Sequence, residues 1–307
     1  MTFTANGEYL VSGSKKGVQV WGVKDGKRTA TMSVPCGAYC VAASKDGKWI
    51  AGGTKVGEVF VWDATTYKRV FADGFKSTAI LDVDFSPDST RLVSADGILN
   101  TATVWDIAAR KKVRTLRKDS GQGWLLTAKY SPQGDRVATA THESVRVWNS
   151  DDGRLLVDVK VPMKGLRDLL WCKDHLFVKT GDSKIMQINA ATGSTVSEWP
   201  VPSRDPFSCI ALPQHAKFIA HSTKKTIAFW DTATRTQLSP IQHTHNIRSI
   251  TWTLDGQLLA ISAEKKIIVK DLSSGILLFV SVGFVSCLQF IFIVSYCSRS
   301  ITSTALR

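Results

Sequence analysis

Few of the patterns that carry chemistry in other proteins occur in this sequence of 307 residues. It has no glycine-rich phosphate loop, no Gly-x-Ser-x-Gly turn and no His-Glu-x-x-His helix, which are common signatures of nucleotide binding, serine hydrolysis and zinc peptidases. His142-Glu143 falls in a predicted turn, where a solvated pair is expected, and His221 falls near a predicted strand end, where a hydrogen-bonded structural histidine is expected. We therefore expect no catalytic residue, no cofactor and a non-enzymatic protein.

The cysteines are scattered along the sequence, and their placement argues against metal binding. The six cysteines form no Cys-x-x-Cys pair, and paired histidine ligands are absent, so no zinc site is expected. They are Cys36, Cys40, Cys172, Cys209, Cys287 and Cys297. The sequence shows no signal-peptide pattern and no Asn-x-Ser/Thr glycosylation site. Together these absences favour reduced thiols and an intracellular location, either cytoplasmic or nuclear.

The strongest positive pattern is a repeat that is marked by Trp-Asp, or an altered copy of it, at the end of a short apolar run. Successive copies are separated by 40 to 43 residues. The first residues of the seven copies are Trp21, Trp62, Trp105, Trp148, Ile188, Trp230 and Lys270. A polar turn precedes each copy, as Ser86-Pro87-Asp88 precedes Trp105. Two independent markers therefore indicate seven units of a repeat architecture.

Each unit divides into four short strands. In the third unit these are Ile80–Phe85, Arg91–Ala95, Thr101–Asp106 and Lys112–Leu116, separated by polar turns. The segment Val59–Trp62 is apolar at every position, as expected of a strand whose sheet is covered on both faces. The pattern predicts an all-β fold of stacked four-stranded antiparallel blades.

The two ends of the sequence favour a closed ring over an open row of units. Met1-Thr2-Phe3 reads as the tail of a first strand, and Phe284–Phe290 reads as one strand beyond the seventh unit. The surplus strand could complete the inner strand of the first blade, or compete for that place. We therefore predict a seven-bladed β-propeller over residues 1–290 and an unpacked tail over 291–307.

At this level the sequence resembles the WD-repeat family, whose members are β-propellers. The resemblance covers about residues 1–290 and is carried by the period and by the intact pairs Trp62-Asp63, Trp105-Asp106 and Trp230-Asp231. The family's Gly-His dipeptide is missing, and Thr244-His245 is its nearest relic. The resemblance implies a protein-protein interaction scaffold.

The resemblance also implies a hydrogen-bonded tetrad of Asp, His, Ser or Thr, and Trp in each blade. In this sequence the tetrad is incomplete. Ser94 with Trp105, and Thr139 with Trp148, keep parts of it.

Basic residues outnumber acidic residues, with a formal net charge of +13. In the resembled family, the turns between second and third strands share one face of the disc with the blade-to-blade crossovers. In this sequence these segments are rich in lysine and arginine. We predict that this face binds other proteins, through acidic or phosphorylated segments, by Lys15, Lys16, Lys55, Lys184, Lys224, Lys225, Arg248, Lys265 and Lys266.

A simpler interpretation of these lysines remains open at this point. Lysine in exposed turns also keeps sheet edges from pairing and keeps a protein dissolved. Nucleic acid is not the expected partner, because the sequence has no basic run interleaved with aromatic residues.

The stretch 276–294 is long, apolar and free of charge, so it supports two interpretations. As a helix it would nearly span a bilayer core, which gives the alternative of a tail-anchored membrane scaffold. As strands it would continue the repeat, because Asp271–Leu278 matches the turn and fourth strand of earlier units. The repeat register favours strands.

Overall fold

A computed structural model describes residues 1–74, 78–117, 124–161, 166–201, 209–213, 217–263, 266–272 and 277–282. Within these residues the chain forms seven antiparallel sheets of four consecutive strands each. The sheets are the blades of a propeller, which confirms the predicted fold class. Blades are numbered one to seven in chain order, and in each blade the first strand is innermost.

The strands follow the sequence repeat closely, with four strands to each blade. The first four blades comprise β1 (Thr2–Phe3), β2 (Tyr9–Ser14), β3 (Gly17–Gly22), β4 (Arg28–Met32), β5 (Ala38–Ala43), β6 (Trp49–Thr54), β7 (Glu58–Asp63), β8 (Arg69–Gly74), β9 (Ile80–Phe85), β10 (Arg91–Asp96), β11 (Thr101–Asp106), β12 (Lys111–Leu116), β13 (Leu125–Tyr130), β14 (Arg136–Thr141), β15 (Ser144–Asn149) and β16 (Leu155–Lys160). The last three comprise β17 (Leu166–Cys172), β18 (His175–Thr180), β19 (Lys184–Asn189), β20 (Thr195–Pro200), β21 (Ile210–Ala211), β22 (Phe218–Ser222), β23 (Thr226–Asp231), β24 (Gln237–Gln242), β25 (Ile247–Trp252), β26 (Leu258–Ala263), β27 (Lys266–Asp271) and β28 (Leu277–Val282).

The ring closes where blade one packs against blade seven. Phe3, Leu10 and Trp21 of blade one form a buried cluster with Ala260 and Ile267 of blade seven. The inner strand β1 pairs with β2 at only two positions, as the sequence predicted for a shortened first strand. The predicted completing segment 284–290, the predicted domain end at 290 and the tail 291–307 lie outside the described residues.

The segment Leu277–Val282 is the outer strand of blade seven and is hydrogen-bonded to β27. The repeat register is therefore confirmed for these residues. The alternative of a membrane helix over 276–294 is wrong for them, because residues that pair as a strand cannot also be helical. Residues 283–294 lie outside the described part of the chain, and within the part that is described no helix is long and apolar enough to cross a membrane.

A β-bulge recurs where the outer strand of a blade pairs with the third strand. In six described blades the pairing of the third and fourth strands shifts by one residue beside the marker position of the repeat. The shifts fall between Val20 and Trp21, Val61 and Trp62, Val104 and Trp105, Val147 and Trp148, Gln187 and Ile188, and Val269 and Lys270.

In three blades a buried tryptophan ties the third strand to the second. The indole Nε1 donates to a hydroxyl that lies two residues beyond the tryptophan's own cross-strand partner. The donor–acceptor pairs are Trp21–Ser12 at 2.9 Å, Trp105–Ser94 at 2.9 Å and Trp148–Thr139 at 2.8 Å. The last two pairs confirm the predicted remnants of the tetrad, and the first was missed.

In blade six a histidine occupies the place of that hydroxyl. Ile219 pairs with Trp230, and His221 lies two residues beyond it. His221 is fully buried, yet within the described residues neither of its ring nitrogens has a hydrogen-bond partner, and neither has Trp230 Nε1. The expectation of a hydrogen-bonded histidine was therefore wrong. Burial, with a smaller contribution from the charge of Lys179, lowers the pKa of His221 to about 3.

The indole hydrogen bond gives a direct stability prediction. Ser94→Ala should lower the free energy of unfolding by about 1–3 kcal/mol, because Trp105 Nε1 would remain buried without a partner. Urea unfolding measures the change. Ser94→Thr keeps a hydroxyl, as Thr139 does in blade four, and should lose less. Equal stability of Ser94→Ala and the wild type would contradict the assigned role.

The buried histidine predicts a pH dependence. The pKa of His221 lies below its value in the unfolded chain, so the unfolded state binds more protons and the native state loses stability as the pH falls from about 6.5 to about 3. When the pH is lowered from about 7 to about 5, the free energy of unfolding of the wild type should fall by about 2 kcal/mol more than that of His221→Thr. Urea titrations at both pH values test this, and parallel losses in the two proteins would refute it.

Candidate functional site

Two sets of loops meet on one side of the disc. They are the turns between second and third strands and the crossovers between blades, and backbone hydrogen bonds join them. Ile247 N donates to Lys224 O at 2.7 Å, and His243 N donates to Lys225 O at 2.7 Å. We call this side the crossover face. Because both loop types are tied together, the side chains of the turns project from a fixed backbone.

The remaining two sets of turns lie on the opposite side, which we call the hairpin face. There Ala190 N, after the third strand of blade five, donates to Asp174 O, before its second strand, at 2.9 Å. Ser150 N donates to Asp135 O at 2.9 Å in blade four in the same way. The two faces are thus assembled from different parts of each repeat.

The structure places the predicted binding residues on the crossover face where they fall within the described residues. Lys15, Lys16, Lys55, Lys184, Lys224 and Lys225 are exposed, whereas Arg248 and Lys266 are half-buried. Lys265 lies outside the described residues. Arg248 belongs to the inner strand β25 and also lines the central channel.

The predicted residues are not evenly spread around the described turns. Those of blades six, seven, one and two are neighbours, because the ring closes between blades seven and one. Lys184 of blade five is partly neutralised, since its Nζ lies 3.2 Å from Glu198 Oε2. The turns of blades three and four carry Ile98, Leu99 and Glu143 in place of lysine. We call the resulting cluster the basic arc, and it consists of Lys15, Lys16, Lys55, Lys224, Lys225 and Lys266.

The sequence analysis missed a second feature, an ionic network in the central channel. The channel encloses a cavity of about 340 Å³ that is lined mainly by the inner strands. Asp82 and Asp84 of β9, Lys129 of β13 and Asp168 of β17 meet there. The sequence carries a signal for this network, because these charged residues fall within inner strands whose other residues are mainly apolar.

Hydrogen bonds of this network join the inner strands of two pairs of neighbouring blades. Lys129 Nζ lies 2.8 Å from Asp82 Oδ2, across the boundary between blades three and four. Asp84 Oδ2 accepts a hydrogen bond from Tyr130 N at 2.8 Å across the same boundary. Asp168 Oδ2 accepts from the backbone N of β21, at Ile210, at 3.0 Å. The network therefore links blade three to blade four, and blade five to blade six, beside the axis.

The ammonium group of Lys129 is attracted to three carboxylates in this channel, those of Asp82, Asp84 and Asp168. Burial raises the pKa of Asp84 to about 6 and that of Asp168 to about 6, although the charge of Lys129 opposes both shifts. Burial alone would lower the pKa of Lys129, but the attraction of Asp82 and Asp84 raises it above its usual value. Among the described residues no group of three or more His, Cys, Asp or Glu side chains could hold a metal ion.

Comparisons with known proteins agree with this geometry. The profile of the family described as "WD domain, G-beta repeat" matches residues 67–106, which run from the end of blade two through the third strand of blade three. WD repeat-containing protein 1 of Gallus gallus is 36% identical over 84 residues. The chain is a WD-repeat β-propeller.

Other relatives of this propeller extend the match along the chain. Eukaryotic translation initiation factor 3 subunit I of Pyricularia oryzae is 28% identical over 199 residues, or 58% of this chain. Among solved structures, that of U3-55K superimposes with a TM-score of 0.75 at 16% sequence identity, covering 85% of this chain and 86% of the other, which shows the shared fold. The matches span 14% of the Gallus protein and 56% of the Pyricularia protein.

The channel network predicts a cost for removing its cation. Lys129→Met should lower the free energy of unfolding by about 3 kcal/mol or more near neutral pH, because Asp82, Asp84 and Asp168 would lose the attraction of the Lys129 ammonium group. Urea unfolding measures the loss. Protonation of Asp84 and Asp168 relieves their repulsion, so the loss should shrink from pH 7 to about pH 5. A loss that is the same at both pH values would show that the network does not act through charge.

Proposed function

We propose that this propeller is a non-enzymatic scaffold that binds acidic or phosphorylated segments of partner proteins on its crossover face. The observation that supports the proposal best is the basic arc, which places lysines of four neighbouring blades on one side of the disc. Carboxylates and phosphates complement such a surface, and the attraction also speeds encounter.

The rigidity of the turns adds support. Lys224 and Lys225 are anchored through their carbonyl oxygens to the crossover that enters blade seven, with both hydrogen bonds at 2.7 Å. Their backbone is therefore fixed before a partner arrives, and only their side chains lose freedom on binding. Pre-organised contacts cost less conformational entropy than contacts made by loose loops.

The relatives provide context for the proposal. By its name, the Pyricularia protein is a subunit of a translation initiation factor. Another relative is the protein transport protein SEC31 of Saccharomyces cerevisiae, which is 23% identical over 180 residues. A role for the present chain within a protein assembly is consistent with the names of these two relatives. Its own partner is to be sought through the chemistry of the crossover face.

The described cysteines fit an intracellular scaffold. Cys36, Cys40, Cys172 and Cys209 form no disulfide within the part of the chain that the structure describes. We place the protein in the cytoplasm or the nucleus, where thiols stay reduced.

The basic arc predicts a loss of binding on charge reversal. The variant K15E/K16E/K224E/K225E should bind two fluorescein-labelled peptides, one of glutamate and serine and the other its phosphoserine counterpart, with an affinity lower by about tenfold or more. The reason is that four attractions become repulsions. Fluorescence anisotropy at about 50 mM salt measures the affinity. The loss should shrink at about 500 mM salt, where screening shortens the reach of charge to a few ångströms.

A matched control lies on the hairpin face. The variant K24E/K27E/K68E/K111E reverses four exposed lysines that lie in or directly beside turns of blades one to three, and it changes the net charge equally. It should retain most of the affinity. If both variants lose affinity for the peptides to the same degree, net charge rather than the crossover face governs binding. If the wild type binds neither peptide at low salt, the proposed function is wrong.

A further inference from the structure

One turn of the crossover face differs chemically from those of the basic arc. Between β10 and β11 of blade three the chain runs Gly97-Ile98-Leu99-Asn100, so two aliphatic residues stand where blades one, two and six present lysine. Ile98 is 55% exposed and Leu99 is 36% exposed. Single exposed aliphatic side chains are common on protein surfaces, but these two are adjacent and share a face with basic residues, and apolar surface with a polar rim is the kind that marks interaction sites.

The exposure of this pair does not come from a loose loop. The buried carboxylate of Asp96 accepts hydrogen bonds from the Thr78 hydroxyl and from Leu99 N, the latter at 2.9 Å. Gly97 N donates to Ala79 O at 3.1 Å. Leu125 N, at the start of the next blade's inner strand, donates to Gly97 O at 3.1 Å.

The position of Gly97 reinforces this anchoring. A Cβ atom there would lie 2.8 Å from Leu81 Cδ1, so any larger residue would require the Leu81 side chain to move. The turn is thus fixed to the crossovers on both of its sides. It presents Ile98 and Leu99 in one orientation, as a pre-organised apolar contact.

The surroundings of the pair decide what kind of partner fits. Blade two, next in the ring, presents the exposed Lys55 on the same face, and the exposed Arg117 follows the outer strand of blade three. The basic arc continues from Lys55 through blades one, seven and six. A second copy of this chain would bring a net charge of +13 toward the same basic surface, which disfavours self-association there.

We propose that Ile98 and Leu99 form the apolar anchor point of the crossover face, and that they seat a bulky aliphatic or aromatic residue of an acidic partner segment. This inference rests on the proposed function and adds a specificity element to it. The lysines attract the carboxylates or phosphates of the segment, and the apolar pair selects segments with a large apolar residue among those charges. Buried apolar contacts inside a polar rim are the usual origin of affinity at such interfaces.

The test uses two fluorescein-labelled peptides of equal length and equal charge. One contains only glutamate and serine, and in the other two central serines are replaced by leucine. Their affinities for the wild type are measured by anisotropy at about 50 mM salt. The leucine peptide should bind about three- to tenfold more tightly than the serine peptide. The variant I98S/L99S should lose that preference and keep the wild-type affinity for the serine peptide.

Two controls show that the effect belongs to this turn. Leu254→Ser removes a comparably exposed leucine, 43% accessible, from the hairpin face, and it should keep the preference. The urea midpoint of I98S/L99S should match that of the wild type, because the side chains removed are exposed and the backbone hydrogen bonds of the turn remain.

The possible outcomes separate this inference from the function on which it rests. Equal affinity of both peptides for the wild type, or a preference that survives in I98S/L99S, overturns the inference and leaves the basic arc standing. Sedimentation that shows a wild-type dimer dissociated by I98S/L99S assigns the pair to self-association and also overturns it. If neither peptide binds the wild type, the proposed function and this inference are both overturned.

Discussion

Burial of both faces of every blade is the constraint on which the rest of this structure depends. The third strands are mainly apolar along their middle positions, and Val59, Val61 and Ile227 are completely buried although each belongs to a sheet only four strands wide. No single repeat could cover such strands, so each blade needs a neighbour on either side. The cluster that joins Phe3 and Leu10 to Ala260 and Ile267 supplies the last of these contacts and turns a row of repeats into a ring.

Ring closure explains why polar groups inside the ring matter as much as apolar ones. Blades that converge on an axis leave a channel, and the side chains that line it must find partners across blade boundaries. The bond between Lys129 and Asp82, and the backbone contacts of Asp84 and Asp168, meet that need between successive inner strands. Blade six shows the opposite case, because His221 and Trp230 carry buried polar atoms that remain unsatisfied among the described residues. Satisfaction of polar groups is therefore uneven around the ring.

The sequence predicted the parts of the structure that follow from local periodicity. The four strands of blade three lie within one residue of their predicted bounds, and two of the three indole–hydroxyl pairs were predicted from the resemblance. The channel network was not predicted, because it depends on the relative height of residues more than forty positions apart in adjacent strands. The fixed exposure of Ile98 and Leu99 was also missed. It depends on Asp96 and Gly97 being held by crossovers on both sides, and no spacing in the sequence shows that.

The bulges in the outer strands have a consequence for where partners can attach. Among the described residues, every outer strand has one edge of backbone N–H and C=O groups with no further strand beside it, and such edges invite pairing with other chains. A bulge bends the strand and sharpens its twist, so a straight incoming strand cannot follow the edge for more than a few residues. In six described blades the bulge falls at the same place, which interrupts the edge at regular intervals around the circumference. Recognition by strand addition is thereby discouraged at the rim. A partner is left to bind the side chains on the two flat faces.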